Sequence, residues 1–356
     1  MLDRTLPIVQ APMAGGPSTP ELAAAVAGAG GLGYIAGGYL TPERLLEAVR
    51  ATRGLTAEPF GINLFVPSPE AGQRAAVGAY RQRLLPHAER VGASLPGVDE
   101  LPWDDDDHYR AKIDALCALE TPPALVSFTF GLPGHDDVAQ LRARGTLTVA
   151  TVTDEAEARA AVALGVDGLC VQGPEAGGHR GTHDALADPD TRPLAELLPA
   201  VLDAVADVRG RLNVTAAGGI DTPGHVRLML GLGADDVQAG TAYLLADEAG
   251  TNRTHAAAVA AGGRGTLVTR AFTGRPARAL ANALALEIGD AAPAAYPAVH
   301  HLTRPLRAAA AGAGDPELLH LWAGANCSRV PAAPAAEITR WLAGGDAAIA
   351  TDITDE

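Results

Sequence analysis

The chain has 356 residues, 47% hydrophobic and 19% charged, with a formal net charge of −15. That length suits one large domain or two ordinary ones, with a substantial core. The acidic balance and the lack of basic runs argue against nucleic acid, which needs clustered Lys and Arg. Lys112 is the chain's single lysine, so a Schiff-base or Walker-type site has almost no candidate. Cys117, Cys170 and Cys327 are far apart and form no CxxC pair. Neither a disulfide framework nor a metal site is expected, and a reducing cytoplasm is the default. The N-terminus lacks a signal-peptide pattern. The uncharged run from Leu22 to Leu40 has the length of a membrane span, but its six glycines read as helix, loop and strand. No membrane partner is expected.

In chain order, Leu6 to Ala11 reads as a first strand, and Pro12 to Ser18 as the loop that breaks it. A helix opens at Pro20 with Thr19 as N-cap. Gly33 to Ala36 is a second strand, followed by a helix from about Pro42 to Arg53. Phe60 to Phe65 is a third. Residues 67–118 exceed what one connection needs, and their acidic run, Asp104 to Asp107, reads as a solvated face or helix start. The fourth strand is Ala124 to Phe128 and the fifth Leu147 to Thr151. Between them lies a helix ending near Arg144-Gly145. A helix from Asp154 to Leu164 stops at Gly165. The sixth strand, Gly168 to Val171, runs into a glycine-rich loop, and Thr191 to Arg209 is mostly helix. Leu212 to Ala216 is the seventh strand, and Pro223 to Leu232 a helix. Asp236 to Ala239 is the eighth. These strands are short apolar runs without alternation, the mark of a parallel sheet covered by helices.

Eight strand–helix repeats over about 240 residues predict an α/β fold of the TIM (β/α)8 barrel type; a doubly wound open sheet is the runner-up. Residues 1–243 form the barrel on this reading, with 67–118 as an insertion. Residues 244–356, Ala-rich and mostly helical, form a smaller lid over the barrel mouth, with a loose tail at Asp352 to Glu356. Ligands of such barrels bind at the carboxyl ends of the strands, with phosphate often in the loops after strands seven and eight. Those loops are Ala217-Gly218-Gly219-Ile220 and Gln238-Ala239-Gly240-Thr241. Both offer backbone N–H groups, so an anion can be held without lysine. The loop after strand six, Gly173-Pro174-Glu175-Ala176-Gly177-Gly178-His179, is too glycine-rich to be explained by packing. It carries His179, the side-chain type most often used as a general base.

Several stretches together resemble the nitronate monooxygenase family. They include Ala11-Pro12-Met13-Ala14-Gly15-Gly16, Ala36-Gly37-Gly38-Tyr39, Gly61-Ile62-Asn63-Leu64-Phe65, Ser127-Phe128-Thr129-Phe130-Gly131 and Glu175-Ala176-Gly177-Gly178-His179, with both phosphate loops. The resemblance implies an FMN-dependent barrel with His179 as catalytic base. By position, Met13, Asn63, Gln172, Gly177, Gly178, Gly218, Gly219, Gln238, Ala239, Gly240 and Thr241 look like FMN contacts. It also implies oxidative denitrification of alkyl nitronates with O2, through single-electron transfer to the flavin; propionate 3-nitronate is one family substrate. His179 has two readings, as base toward a neutral nitroalkane or as an imidazolium paired with the nitronate. Glu175 either orients His179 or is a loop residue. The family pattern places a Gln after Trp322-Ala323-Gly324, where this chain has Ala325 and Asn326. The alternative activity is an FMN-dependent NAD(P)H reductase of enoyl-thioesters or quinones on the same barrel. A flavin-free scaffold is a more distant third. A homodimer is left open.

Overall fold

A computed structural model describes residues 2, 4–67, 72–328 and 330–345. The tail at Asp352 to Glu356 lies outside them. Up to the fourth barrel strand the chain runs β1 (Ile8–Gln10), α1 (Pro20–Gly28), β2 (Tyr34–Ala36), α2 (Pro42–Leu55), β3 (Gly61–Phe65), α3 (Arg74–Arg90), α4 (Tyr109–Cys117) and β4 (Leu125–Thr129). Up to the last barrel strand follow α5 (His135–Ala143), β5 (Leu147–Val152), α6 (Glu155–Leu164), β6 (Gly168–Gln172), a short β7 (Gly178–His179), α7 (Leu194–Ala204), β8 (Asn213–Ala217), α8 (Pro223–Gly231) and β9 (Asp236–Ala239). Then follow α9 (Arg253–Ala261), β10 (Thr266–Thr269), β11 (Ala277–Leu280), α10 (Ala283–Ile288), α11 (Ala298–Ala313) and α12 (Ala335–Leu342).

Eight parallel strands run in the order β1-β9-β8-β6-β5-β4-β3-β2. The ring closes where Val9 bridges Leu32, with Gln10 N–H donating to Leu32 O and Leu32 N–H to Ile8 O, both at 2.9 Å. The fold is a TIM barrel. Helix starts follow local chemistry: Thr19-Pro20, Thr41-Pro42 and Thr222-Pro223 each pair a capping hydroxyl with a proline that has no N–H to satisfy. Strands such as β3 are buried along their whole length, which explains the missing alternation. No helix among the described residues is long and apolar enough to cross a membrane; Leu22 to Leu40 is divided between α1, a turn and β2.

A second layer covers the carboxyl ends of the strands. β10, β11 and β7 form an antiparallel sheet, in which His179 faces Ala277. Val77, Tyr80 and Leu84 of α3 pack with Leu302 and Leu306 of α11, and Tyr80 Oη donates to Ala271 O at 2.8 Å. Ile338 and Leu342 of α12 pack instead with Leu22 and Val26 on the barrel wall. On packing, we propose that α3 belongs with the lid and α12 with the barrel.

The acidic run before α4 is only partly a solvated helix start. Asp104, Asp105 and Asp106 are exposed, as expected. Asp105 also meets His301 Nε2 at 2.7 Å, and the less exposed Asp107 meets the buried Lys112 ammonium at 2.7 Å. The run faces α11, a partner too distant in sequence to be read there, and the chain's one lysine, five residues on.

Candidate active site

The carboxyl ends of the strands open into a cavity of about 400 Å³. Met13, Asn63, Gln172, Gly177, Gly178, His179, Gly218, Gly219, Gln238, Ala239, Gly240 and Thr241 all line it. At its floor, Asn63 Nδ2 donates to Ser127 Oγ and Thr129 Oγ1, both at 3.0 Å, which ties the ends of β3 and β4 together.

The loop after β6 is held from both sides. Gln172 Nε2 donates to His179 O at 3.1 Å, while Gln172 Oε1 accepts Gly181 N–H at 2.7 Å. The Arg180 guanidinium is buried and donates to the carbonyls of Gly173 and Gln172. Gly177 must be glycine: a Cβ there would lie 2.6 Å from the backbone of Ala323 and Gly324. Gly178 has φ +74°, and a Cβ there would meet only open space. The turn therefore presents bare backbone to the cavity.

His179 stands between Phe130 and Trp322, with ring centroids 5.5 and 5.3 Å away. Its Nε2 lies 2.8 Å from Thr273 Oγ1. Burial, then the nearby Arg275 and Arg307 guanidinium groups, push its pKa down to about 3. The imidazole is neutral at ordinary pH, which suits a base. It does not suit a resident imidazolium, because two permanent cations already occupy that side of the site.

The strand-end loops have the character of an anion cradle. The N–H groups of Gly218, Gly219, Gly240 and Thr241 have no acceptor among the described residues. Gly218 and Gly219 have φ of +120° and +68°. Thr241 Oγ1 accepts Gly324 N–H at 2.9 Å, leaving its own proton to donate. Asn326 Nδ2 donates to Gly219 O at 2.8 Å, so the residue that departs from the family pattern braces this loop.

A nitronate monooxygenase family model matches residues 2–342. The chain belongs to the nitronate monooxygenase family. It is an oxidoreductase of a flavin-dependent family. It is 38% identical over 341 residues to a nitronate monooxygenase of Paraburkholderia phytofirmans, covering 94% of this chain and 91% of that one. Among solved structures it is similar to nitroalkane oxidase from Streptomyces ansochromogenes, at 44% identity and TM-score 0.87, covering 96% of this chain and 95% of that one. FabK from Thermotoga maritima matches at 25% identity and TM-score 0.71, covering 95% and 92%.

Within this nitronate monooxygenase fold, Glu175 does not orient His179. Its carboxylate accepts Leu194 N–H at 3.1 Å and so caps α7, satisfying an N–H that the helix leaves free. The imidazole is held by Thr273, which single-sequence reasoning passed over because a lone threonine carries no signal.

The cavity wall contributed by α11 is cationic. Arg304, Arg307, Ala308 and Ala311 of α11 line the cavity. Arg307 is buried, 7% exposed, with its pKa drawn down by burial to about 10, so it stays charged at neutral pH. It donates to Thr303 Oγ1 at 3.1 Å and to His300 O at 2.9 Å. Among the described residues no carboxylate pairs with it. His320 also lines the cavity, with a buried Nδ1 that has no hydrogen-bond partner among the described residues. The 300, 304, 307, 311 spacing, one face of a helix, was the signal available in the sequence.

Removing a neighbouring cation should relax His179. Arg275 lies over the Phe130 ring at 4.1 Å, so Arg275→Met keeps much of the packing while deleting the charge. The His179 pKa should rise from its depressed value, because the cation disfavours the imidazolium. Histidine NMR titration reads this; an unchanged or lower pKa contradicts the assigned cause.

Proposed function

We propose that the protein binds FMN at the barrel mouth and, with O2, oxidatively denitrifies alkyl nitronates. The observation that carries this reading is one cavity shared by four loop N–H groups without an acceptor among the described residues, a neutral His179 and a buried Arg307 that no described carboxylate pairs. The loops after β8 and β9 fit one terminal phosphate, and Gly178 leaves space for a ring system against the backbone. When bound, the flavin supplies the electron acceptor.

The protein's own residues then have distinct tasks. His179, held neutral, takes the α-proton of a nitroalkane. Thr273 fixes the imidazole plane. Phe130, Tyr296 and Trp322 surround the ring and exclude water. Arg307 offers a fixed positive charge to the nitronate or to a second anionic group on it, which favours a carboxylate-bearing nitronate such as propionate 3-nitronate. Mixing with NADH under nitrogen tests the reductase alternative: flavin bleaching would favour it.

Gly219→Val should yield mostly colourless protein. Its Cβ would already sit 2.9 Å from Glu175 Cβ, and the larger side chain would enter the cradle at a positive φ. Chromatography of the flavin released on denaturation checks both points: FMN from wild type, little from the variant. FAD from wild type, or full loading of the variant, contradicts the cradle.

His179→Asn should lose roughly 10²- to 10⁴-fold in turnover of nitroethane, the usual scale for a general base. Pre-formed ethyl nitronate needs no proton removed and should lose far less. The neutral imidazole is the active form, and its pKa is lowered. Wild-type activity on nitroethane should therefore persist below the ordinary histidine range and fall only as pH approaches the depressed value. Equal losses on both substrates, with flavin content intact, would refute the base assignment.

Arg307→Met should raise KM for propionate 3-nitronate by roughly 10- to 100-fold, the scale of a lost charge-assisted hydrogen bond. Ethyl nitronate, which lacks the carboxylate, should be affected less. Equal effects on the two would place Arg307 at the nitronate group and remove the support for a dicarboxylate-like substrate.

A further inference from the structure

Lys112 is the chain's single lysine, and its side chain is 1% exposed. Its Nζ meets Asp107 at 2.7 Å. The other carboxylate oxygen of Asp107 accepts the N–H of Tyr39 at 2.8 Å. Tyr39 has φ +66°, a left-handed conformation that a bulky L-residue adopts only when its surroundings impose it.

That conformation places the Tyr39 ring on the cavity wall. The ring stacks on His300, with centroids 4.4 Å apart and planes 7° from parallel, and meets Phe65 edge-on at 5.4 Å. His300 Nδ1 lies 3.3 Å from Arg307 Nη2 and accepts from it. A chain of contacts thus runs from the lysine, outside the cavity lining, to the buried cation inside it. Burial raises the Asp107 pKa and lowers that of Lys112, and their attraction opposes both shifts. A desolvated pair of this kind adds little net stability, so its geometry is its main product.

We propose that Asp107, backed by Lys112, is a positioning residue for the cationic wall. Its hydrogen bond holds Tyr39 left-handed, Tyr39 fixes the plane of His300, and His300 fixes the Arg307 guanidinium. The functional consequence rests on Arg307 receiving the anionic group of the substrate, as argued above. The structural consequence does not.

The test uses full-length, flavin-loaded Asp107→Ala, Asp107→Asn and Lys112→Met. Asp107→Ala should raise KM for propionate 3-nitronate about tenfold, the scale of one weakened charge-assisted contact, with a much smaller change in kcat. Asp107→Asn keeps an acceptor for Tyr39 N–H and should recover most of the loss. A crystal structure of Asp107→Ala should show Tyr39 out of the left-handed region, or its stack on His300 broken. Two results overturn the proposal: equal KM increases in the Ala and Asn variants, or a crystal structure with Tyr39 and Arg307 unmoved. If Asp107→Ala does not fold, Lys112→Met decides, with a raised KM supporting the proposal and an unchanged one overturning it. If wild type oxidises no nitronate, the functional reading has failed, and the crystal structure alone judges the positioning.

Discussion

The close approach of the β6 loop to the 323–326 turn is the constraint on which the barrel mouth depends. Backbone meets backbone there without intervening side chains, at Gly177 against Ala323 and Gly324. Ala325 N–H closes the contact by donating to Glu175 O at 2.9 Å. From this clamp follow the position of His179 two residues on, the Asn326 brace on Gly219, and the Thr241 bond to Gly324. The second layer is thus part of the cavity, because it presses the loop that carries His179 against the loops after β8 and β9.

The chain's electrostatics divide sharply between surface and cavity. A protein of net charge −15 places Arg307 and Arg304 along the cavity lining, with no acid paired to Arg307 among the described residues. Burying an unpaired cation is costly. The cost is tolerable where an anionic ligand completes the charge balance, as a bound nitronate would. Burial first, then Arg275 and Arg307, keep His179 neutral, so binding of an anion and basicity of the imidazole are coupled: an anion beside Arg307 weakens its share of the field that depresses His179.

Most of the barrel was legible in the sequence because its information is local. Short apolar runs, Thr-Pro helix openings and glycine stops at Gly165 each act over a few residues. The eight strands fall where that pattern puts them, with ends shifted by a residue or two. The glycine loops were legible for the same reason: a Gly-Gly pair at a strand end signals bare backbone, and Gly218 and Gly219 line the cavity. What escaped was the part built by distant segments. Thr273 reaches His179 across 94 residues and Tyr39 reaches Asp107 across 68. No spacing rule connects such pairs. The two readings of Glu175 were left open for the same reason, since its partner is the N-terminus of a helix nineteen residues on.

The acidic run shows how one local pattern can hide two kinds of residue. Asp104 and Asp106 are surface carboxylates, and composition described them well. Asp107 carries the same side chain one position further, where His108 and Asp107 itself turn left-handed, at φ +53° and +55°. That turn swings Asp107 inward toward Lys112 and Tyr39. A buried carboxylate needs a cation, and the chain's single lysine, five residues on in α4, supplies it. The rarity of lysine therefore has structural meaning. Arginine's broad, planar guanidinium would compete for several acceptors, whereas a compact ammonium can close on one carboxylate oxygen and leave the other for Tyr39.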